Sequence, residues 1–345
     1  MQINSKDVPL LRFGLLANDL NQILIENSSE FNSLEGKKIL ILGGTGFVGS
    51  WLSKAIVNYN SNGGFCDLTI ASRNINSVKD IYIDIKTRPR TISLDISRDL
   101  IDNICQYDLV INCATASSVK IGSEHVDHLY RTITEGSRNL VDSLSLCDNK
   151  LRFVNISSGA VTALTSIECK TNPETCPKEH IASASGAYSH GKNIAEKIVQ
   201  NAIDRDLING VSLRLYAFLG PGLPLDQHFA VGNFMANAVQ KTPILIRGNP
   251  NTIRSYQYPT DLVREILKAA TSSKRATIEV GSREPIAMMD LAQKISKITS
   301  NVEVTSGDSS APISKYFPHS FSENIDSVSL DDAIYRWWKW LMIKD

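Results

Sequence analysis

Residues 39–49 read Ile-Leu-Ile-Leu-Gly-Gly-Thr-Gly-Phe-Val-Gly, an uncharged apolar run that turns into a glycine-rich segment. Four consecutive apolar residues without alternation are typical of a parallel strand that is covered on both faces. Glycines follow at positions 43, 46 and 49, and residues 51–57 have a helical pattern. A strand, a glycine turn and a helix start in this order predict a cradle for a dinucleotide pyrophosphate rather than a simple turn.

Strand and helix patterns alternate on both sides of this segment. The predicted strands are 37–42, 67–71, 91–95, 109–113, 152–156 and 211–216, and the longest predicted helices are 126–146 and 187–207. This alternation predicts an α/β fold with a doubly wound parallel sheet and helices on both faces. Ile81, Ile83 and Ile85 alternate like a strand within residues 74–90, so we expect an irregular second crossover.

The chain is predicted to divide into three segments. Residues 1–35 form an N-terminal helical extension, which we expect to pack on the body of the protein, with a dimer contact as the alternative. Residues 36–219 form the dinucleotide-binding domain with the chemistry-bearing residues. Residues 220–345 form a smaller mixed α/β lobe for the substrate, because Gly220-Pro221-Gly222 breaks the pattern and shorter elements follow.

The smaller lobe has its own predicted elements. Helices are expected near 231–240, 260–270 and 286–299, and strands near 244–246 and 276–280. A terminal helix at 333–343 carries Trp337, Trp338 and Trp340. Three tryptophans can bind a sugar face, but we expect this helix to pack on the body of the protein.

Composition argues against several classes of partner. Lys+Arg and Asp+Glu number 36 each, so no global field draws in nucleic acid or an anionic membrane. No uninterrupted apolar run approaches the roughly 20 residues of a membrane span. The six cysteines, at 66, 105, 113, 147, 169 and 176, are scattered, and without a secretory signal we expect reduced thiols and a cytoplasmic location. Cys169, Cys176 and His180 match no zinc spacing, so no metal is expected.

A tyrosine and a lysine stand four residues apart in the predicted helix 187–207. Tyr188 and Lys192 therefore share one helix face. A phenol with a pKa near ~10 is a poor acid or base at neutral pH, but an adjacent ammonium lowers that pKa. Tyr188 is thus a candidate to exchange a proton with a substrate oxygen as a hydride moves. On its own, such a pair is more often inert on a solvated helix face.

Two serines follow the predicted strand 152–156. Ser157 and Ser158 place hydroxyl groups at the carboxyl end of that strand, where open α/β sheets bind ligands. A hydroxyl at this position can hydrogen-bond the oxygen that Tyr188 protonates. The alternative is a serine that only caps a helix or a turn.

The glycines at 43, 46 and 49, the strand-end serine and Tyr188-x-x-x-Lys192, in this order and spacing, resemble the extended short-chain dehydrogenase/reductases. The nearest group is the NAD-dependent epimerase/dehydratase family that acts on nucleotide sugars. The resemblance covers the chain from the first strand to the helix that ends near Thr299. It implies a Rossmann-type fold, a nicotinamide cofactor and a nucleotide-diphospho sugar substrate.

The resemblance also assigns roles to individual residues. Ser158 matches the active-site hydroxyl, with Ser157 as the fallback, and Tyr188 matches the acid/base. Lys192 matches the residue that tunes the tyrosine and holds the nicotinamide ribose. The residues assigned to the cofactor are Gly43, Thr45, Gly46, Phe47, Val48, Gly49, Arg73, Asp95, Ile96, Ala114, Thr115, Tyr188 and Lys192.

Two residues are assigned to the substrate. Arg254 lies in an arginine-aromatic stretch before a helix, and the resemblance implies that it contacts the substrate diphosphate as a bidentate donor. Asn233 resembles a nucleotide-sugar contact. A homodimer is left open.

The end of the second strand decides between NAD and NADP. An acidic residue there binds the ribose 2′-hydroxyl of NAD, whereas an arginine accommodates the 2′-phosphate of NADP. Residues 70–74 read Ile-Ala-Ser-Arg-Asn, with no acid, so NADP is slightly favoured. Arg73 can equally stack on the adenine of NAD, and both cofactors stay open.

The reaction is less well defined than the site. Many relatives have Tyr-Gly where this chain has Thr162-Ala163, and family 4,6-dehydratases have a carboxyl acid where this chain has Ser157-Ser158-Gly159. We therefore expect an epimerase or reductase that transfers a hydride at a sugar carbon. The alternatives are 4,6-dehydration and a non-catalytic protein that binds NAD(P) as a scaffold.

Overall fold

The structure is a computed structural model that describes residues 16–74, 88–99, 101, 103–114, 126–147, 151–163, 183–225, 229–307, 310, 312–320 and 327–343. The chain forms two compact units. Of the described chain, the larger unit contains residues from 18–215 and 263–279, and the smaller unit contains residues 16–17 and residues from 216–262 and 280–345.

The core of the larger unit is a seven-stranded parallel sheet. Its strands are β1 (Lys38–Leu42), β2 (Asp67–Ser72), β3 (Arg90–Ser93), β4 (Leu109–Asn112), β5 (Arg152–Ser158), β6 (Asn209–Leu215) and β10 (Thr277–Val280). The spatial order is β10-β6-β5-β4-β1-β2-β3. Strand β1 pairs in parallel with both β2 and β4, so the order reverses direction at β1. This topology confirms the predicted doubly wound sheet, and it places a ligand crevice beyond the carboxyl end of β1.

The apolar runs form the buried strands for a simple physical reason. Residues 39–42 of β1 and residues 152–158 of β5 are buried throughout, because helices cover both faces of the sheet. Strand β5 continues two residues beyond its predicted end. Ser157 and Ser158 therefore belong to the strand, where they pair in register with Arg214 and Leu215 of β6.

The helices of the larger unit are α1 (Ala17–Glu26), α2 (Ser28–Leu34), α3 (Phe47–Ser61), α4 (Val126–Ser145) and α5 (Ala184–Asp204), and α7 (Pro259–Thr271) ends in it. Leu20 and Ile23 are buried, so the described part of the N-terminal extension packs within this unit. Helices α4 and α5 approach closely at Gly191, where an added Cβ atom would lie 3.4 Å from Ile133.

The smaller unit is built from short elements around β9. Its strands are β7 (Ala217–Phe218), β8 (Ile244–Ile246), β9 (Ile253–Gln257), β11 (Pro285–Ala287), β12 (Val304–Ser306) and β13 (Lys315–Tyr316), and its helices are α6 (Ala230–Gln240), α8 (Met288–Ile298) and α9 (Leu330–Leu341). Strand β9 pairs with β7, β11 and β13. Trp337 and Trp340 of α9 are buried, as expected for a packed terminal helix.

One prediction about the cysteines is wrong. Cys105, before β4, and Cys147, after α4, form a disulfide with an S–S distance of 2.09 Å and a Cα–Cα distance of 5.1 Å. The fold brings together two thiols 42 residues apart, a pairing that their spacing does not reveal. Cys66 and Cys113 are free thiols. Cys169, Cys176 and His180 lie outside the described residues, as does the alternating run at residues 81–85.

Within the described ranges, no helix has both the length and the apolar character needed to cross a membrane. The same part of the chain contains no cluster of three or more His, Cys, Asp or Glu side chains that could hold a metal ion.

Candidate active site

The glycine loop after β1 depends on the absence of side chains. Gly43 has a φ of +73°, and a Cβ atom there would lie 2.7 Å from the Cα atom of Ala114. Its N–H donates to the carbonyl of Ala71 at the end of β2 (2.8 Å). The loop is therefore held against the exits of β2 and β4, at the position where the sheet order reverses.

The other two glycines shape the start of α3. Gly46 is the N-cap, and Ser50 N–H donates the first helical bond to its carbonyl (2.8 Å). A Cβ atom on Gly49 would lie 2.5 Å from the Gly43 carbonyl oxygen, so this glycine lets α3 pack on the loop. Among the described atoms, a Cβ on the exposed Gly46 would approach only the Gly43 oxygen, at 3.4 Å. An open helix start of this kind fits a pyrophosphate.

Hydroxyl and guanidinium side chains lie beside the loop at the end of β2. Thr45 Oγ1 and Ser72 Oγ share a hydrogen bond of 2.9 Å, so the end of β2 is tied to the glycine loop. Arg73 follows and is exposed, whereas Phe47 and Val48 at the start of α3 are partly buried. The hydroxyl and guanidinium groups at this strand end are donors of the kind that a phosphate accepts from.

Asp95 lies where the sequence places the adenine end of the cofactor. Burial raises the pKa of its carboxyl, but the Ser97 hydroxyl (2.7 Å) and N–H (3.1 Å) and the charges of Arg73 and Arg98 outweigh burial and lower that pKa. The electrostatic effect of Arg73 on Asp95 places the two assigned residues in one neighbourhood. Ile96 follows Asp95 and packs closely on α4.

A row of hydrogen bonds between buried side chains crosses strands β4, β5 and β6, and the sequence did not predict it. Ala114 N–H donates to Asn112 Oδ1 (3.2 Å), whose amide donates to Asn155 Oδ1 (3.2 Å). The Asn155 amide reaches Ser212 Oγ on β6 (3.4 Å). This row of hydrogen bonds fixes the exit of β4 beside the glycine loop. Thr115 lies outside the described residues.

The structure brings the predicted serine and tyrosine together. Ser158 ends β5, and its side chain hydrogen-bonds Tyr188 on α5. Helix α5 is capped by Ser183, whose Oγ accepts from Gly186 N–H (3.0 Å). The cap sets where the helix begins, and Tyr188 and Lys192 then follow on one face.

The pKa of Tyr188 shifts in the direction opposite to the prediction. Burial raises the pKa of its phenol, and the hydrogen bond with Ser158 only partly opposes that rise. The sequence predicted a lowered pKa because of Lys192. Lys192 Nζ instead donates to the carbonyl of Ile156 (2.9 Å), and the phenol packs beside Leu129 and Ile133 of α4. Tyr188 is accordingly a proton donor at neutral pH.

Lys192 belongs to a buried network that the sequence reasoning did not include. Burial lowers the pKa of its ammonium to about 8, while Cys113 and Glu196 oppose that shift. Glu196 Oε2 accepts from Ser157 Oγ (2.9 Å), and its carboxylate pairs with Arg214 of β6. The signal in the sequence was the position of Glu196, four residues after Lys192.

The two residues assigned to the substrate lie in the smaller unit. Arg254 lies on β9, and its Nη1 donates to the carbonyls of Ile253 (2.8 Å) and Ser314 (3.1 Å). Its Nη2 donates to Ser314 Oγ (2.9 Å), and the guanidinium lies 5.6 Å from the ring centre of Tyr316. Asn233 is exposed on α6. Their contacts with a substrate remain a prediction.

Two relatives named for an enzymatic activity align with most of this chain. UDP-glucuronic acid decarboxylase 1 of Arabidopsis thaliana is 23% identical over 273 residues, which cover 76% of this chain and 58% of that protein. The chain thus spans less than two thirds of the plant protein's length. UDP-N-acetyl-alpha-D-glucosaminuronate decarboxylase of Bacillus cytotoxicus is 22% identical over 295 residues, which cover 83% of this chain and 87% of that protein.

Solved structures share the fold. The Bordetella bronchiseptica enzyme WbmF, in complex with NAD+ and UDP, matches with a TM-score of 0.68 at 19% identity, covering 89% of this chain and 92% of that one. The sequence profile of the NAD dependent epimerase/dehydratase family matches residues 39–281, more than half of the chain. The chain therefore belongs to the NAD dependent epimerase/dehydratase family.

Proposed function

We propose that this protein is an NAD(P)-dependent enzyme that moves a hydride at a sugar carbon of a nucleotide-diphospho sugar, with Tyr188 as the acid/base. The observation that carries the proposal is the hydrogen bond between Ser158 and Tyr188, with Lys192 one helical turn further on. The three groups sit at the carboxyl end of the sheet with the glycine loop, which is where doubly wound folds bind ligands.

Each side chain has a defined part in the proposal. The nicotinamide, when bound, accepts and returns the hydride. Tyr188 holds its proton at neutral pH and can donate it to the sugar oxygen as a ketone is reduced; in the oxidising direction its phenolate takes the proton of the sugar hydroxyl as the hydride leaves. The Ser158 hydroxyl orients the same oxygen. Lys192 is protonated below about pH 8 and can hold the ribose hydroxyls as a hydrogen-bond donor.

The cofactor is either NADP or NAD, with NADP slightly favoured. The support for NADP is the end of β2, where residues 70–74 contain no acid and the Ser72 and Thr45 hydroxyls lie with the exposed Arg73. The support for NAD is that WbmF, a structure of the same fold, contains NAD+. Titration of protein fluorescence with NADPH and NADH, which gives both dissociation constants, decides between them.

The substrate is proposed to be a UDP-sugar. The named relatives act on UDP-linked sugars, and WbmF contains UDP. Arg254 supports an anionic substrate because a guanidinium with neutral partners can pair with a diphosphate. Epimerisation and reduction at the sugar carbonyl are both compatible with Ser158, Tyr188 and Lys192.

Decarboxylation is a second candidate, favoured by the names of both relatives. Oxidation at C4 of a glycuronic acid makes its carboxylate β to a ketone, and such an acid loses CO2 without an enzymic carboxyl acid. Dehydration, in contrast, needs an acid that expels a hydroxyl. The end of β5 reads Ser157-Ser158-Gly159 and offers no carboxyl, so decarboxylation fits it better than 4,6-dehydration.

The test is incubation with UDP-glucose, UDP-galactose and UDP-glucuronic acid, each with NAD+, NADP+ or NADPH. Mass spectrometry and NADPH absorbance separate the outcomes. A new chromatographic peak of unchanged mass without NADPH loss shows epimerisation, and NADPH consumption with an added UDP-4-keto sugar shows reduction. Loss of CO2 or of water shows decarboxylation or dehydration. Tight cofactor binding with no conversion of any sugar would favour the scaffold alternative.

A cytoplasmic location and a homodimer are further parts of the proposal. The Cys105–Cys147 disulfide weighs against a reducing compartment. Counting free thiols in protein extracted under alkylating conditions tests the location, because a cytoplasmic protein would have this pair reduced. Light scattering tests the dimer.

A further inference from the structure

Helix α5 carries a third polar side chain on its active-site face. We propose that Glu196 is a positioning residue: its carboxylate ties the serine-bearing end of β5 to α5 and supplies the negative charge that balances the Lys192 ammonium. The proposal deepens the proposed function, since it concerns the same site. Glu196 follows Lys192 by four residues and Tyr188 by eight, so the three share one face.

The contacts of Glu196 join three elements. The side chain is buried on α5, with 6% exposure. Its Oε2 accepts from Ser157 Oγ on β5 (2.9 Å) and from Arg214 Nε on β6 (2.9 Å), while Oε1 accepts from Arg214 Nε (3.1 Å) and Nη2. Such bidentate, charge-assisted bonds fix both partners. Glu196 thus holds the helix in register with two strands.

This bridge acts directly beside the reacting hydroxyls. Ser157, which donates to Glu196, is the residue before Ser158, which bonds Tyr188. Lys192 donates to the carbonyl of Ile156, the residue before Ser157 (2.9 Å). The end of β5 is therefore connected to α5 through three consecutive residues, and the bond to Glu196 is the central one.

Among the described residues, Glu196 is the carboxylate that favours the Lys192 ammonium. Burial lowers the pKa of Lys192 to about 8, and the two groups that favour its ammonium are Cys113 and Glu196. Burial also raises the pKa of Cys113 to about 12, so that thiol is neutral where Lys192 titrates. Tyr188 is neutral there as well, and Arg214 pairs with the same carboxylate.

Two charge-removing variants test the proposal because they act in opposite directions. E196Q keeps an acceptor for Ser157 but removes the negative charge, so the Lys192 pKa should fall by roughly one unit from the wild-type value. R214Q removes the counter-charge and should raise it. The double variant E196Q/R214Q should have a Lys192 pKa between those of the two single variants. Packing damage alone would shift E196Q and R214Q in the same direction.

The measurement is an NMR pH titration of protein with 13C-labelled lysine, and it needs no sugar and no turnover. The signal that disappears in K192R identifies Lys192. An unmoved titration in E196Q, or shifts of the same sign in E196Q and R214Q, would overturn the proposal. If the titrations move as expected while no nucleotide sugar is converted, the positioning role stands and the proposed function fails. If the protein converts a nucleotide sugar, the basic limb of the pH–rate profile should shift in the same direction as the Lys192 pKa.

Discussion

Arg214 on β6 of the larger unit and Arg254 on β9 of the smaller unit are both held by several bonds, but their partners differ in charge. Arg214 forms a salt bridge with the buried carboxylate of Glu196. Arg254 donates to the carbonyls of Ile253 and Ser314 and to the Ser314 hydroxyl, which are all neutral. Both side chains are positioned by several bonds, and only one has its charge compensated by a described residue.

This difference separates a structural arginine from one that is suited to a ligand. A guanidinium beside a carboxylate gains little from a second anion, whereas one held by neutral acceptors keeps its attraction for phosphate. Burial lowers the pKa of Arg254, and Tyr256 and Tyr316 oppose that shift, so an anion near β9 would stabilise its charge. Arg214 therefore has a carboxylate partner on α5, whereas the described hydrogen-bond partners of Arg254 are neutral.

The largest effect should come from the phenol of Tyr188 on α5. Y188F removes the hydroxyl that bonds Ser158 and that moves the proton, so turnover should fall about 10²- to 10⁴-fold. The dissociation constants for NADH and NADPH should stay within about twofold, because the glycine loop is untouched. Steady-state rates and fluorescence titrations check the two parts. Full turnover by Y188F would contradict the proposed role of Tyr188 in proton transfer.

The next largest effect concerns the backbone of the glycine loop between β1 and α3. G43A should lower the unfolding free energy by about 3 kcal/mol, because a left-handed alanine costs ~1–2 kcal/mol and its Cβ also meets the Ala114 backbone. Gly36 is a matched control with a φ of +72° and no described atom within 4 Å of an added Cβ. G36A should cost only the backbone part and leave dinucleotide binding intact.

Urea unfolding of both glycine variants measures this difference, and fluorescence titration reports on the dinucleotide site. Equal losses in G43A and G36A would show that the close approach to Ala114 contributes nothing.

Much of the larger unit could be predicted because its geometry repeats along the chain. The continuous apolar runs define β1 and β5, and the glycines at 43, 46 and 49 define the loop between β1 and α3. The four-residue spacing of Tyr188 and Lys192 places both on one helix face whatever the surroundings. The sign of the Tyr188 pKa shift was wrong, since burial depends on packing partners in α4 that spacing does not encode.

The remaining features depend on pairings between distant parts of the chain. Asn112 and Asn155 look like ordinary strand residues until the register of β4 and β5 places them opposite each other. The Cys105–Cys147 disulfide and the bond from Arg254 to Ser314 join residues 42 and 60 positions apart. Strand β13, which follows Ser314, has two residues and no periodicity to detect.

A smaller effect is expected at β9, and it tests the uncompensated charge. R254Q should weaken UDP binding about 10-fold or more, because a hydrogen bond to a charged group contributes ~1.5–3 kcal/mol. S314A is the matched control: it removes one acceptor of Arg254 but leaves the Ser314 carbonyl bond (3.1 Å) in place, so UDP affinity should change only slightly. Calorimetry with UDP measures both. Unchanged UDP binding in R254Q would show that the Arg254 charge does not contribute to diphosphate binding.

The smallest effect should arise at the end of β2, where an exposed cation is screened by solvent. R73Q should weaken NADPH binding about fivefold, the equivalent of ~1 kcal/mol for an exposed ion pair, and leave NADH binding unchanged. R98Q is the control, since Arg98 is a second exposed cation that acts on Asp95 but does not lie at the end of β2. A selective loss in R73Q would mean that Arg73, like Arg254, offers its charge to a phosphate. Equal losses for both cofactors would instead mean that Arg73 stacks on adenine, and the absence of an acid after β2 would then no longer favour NADP.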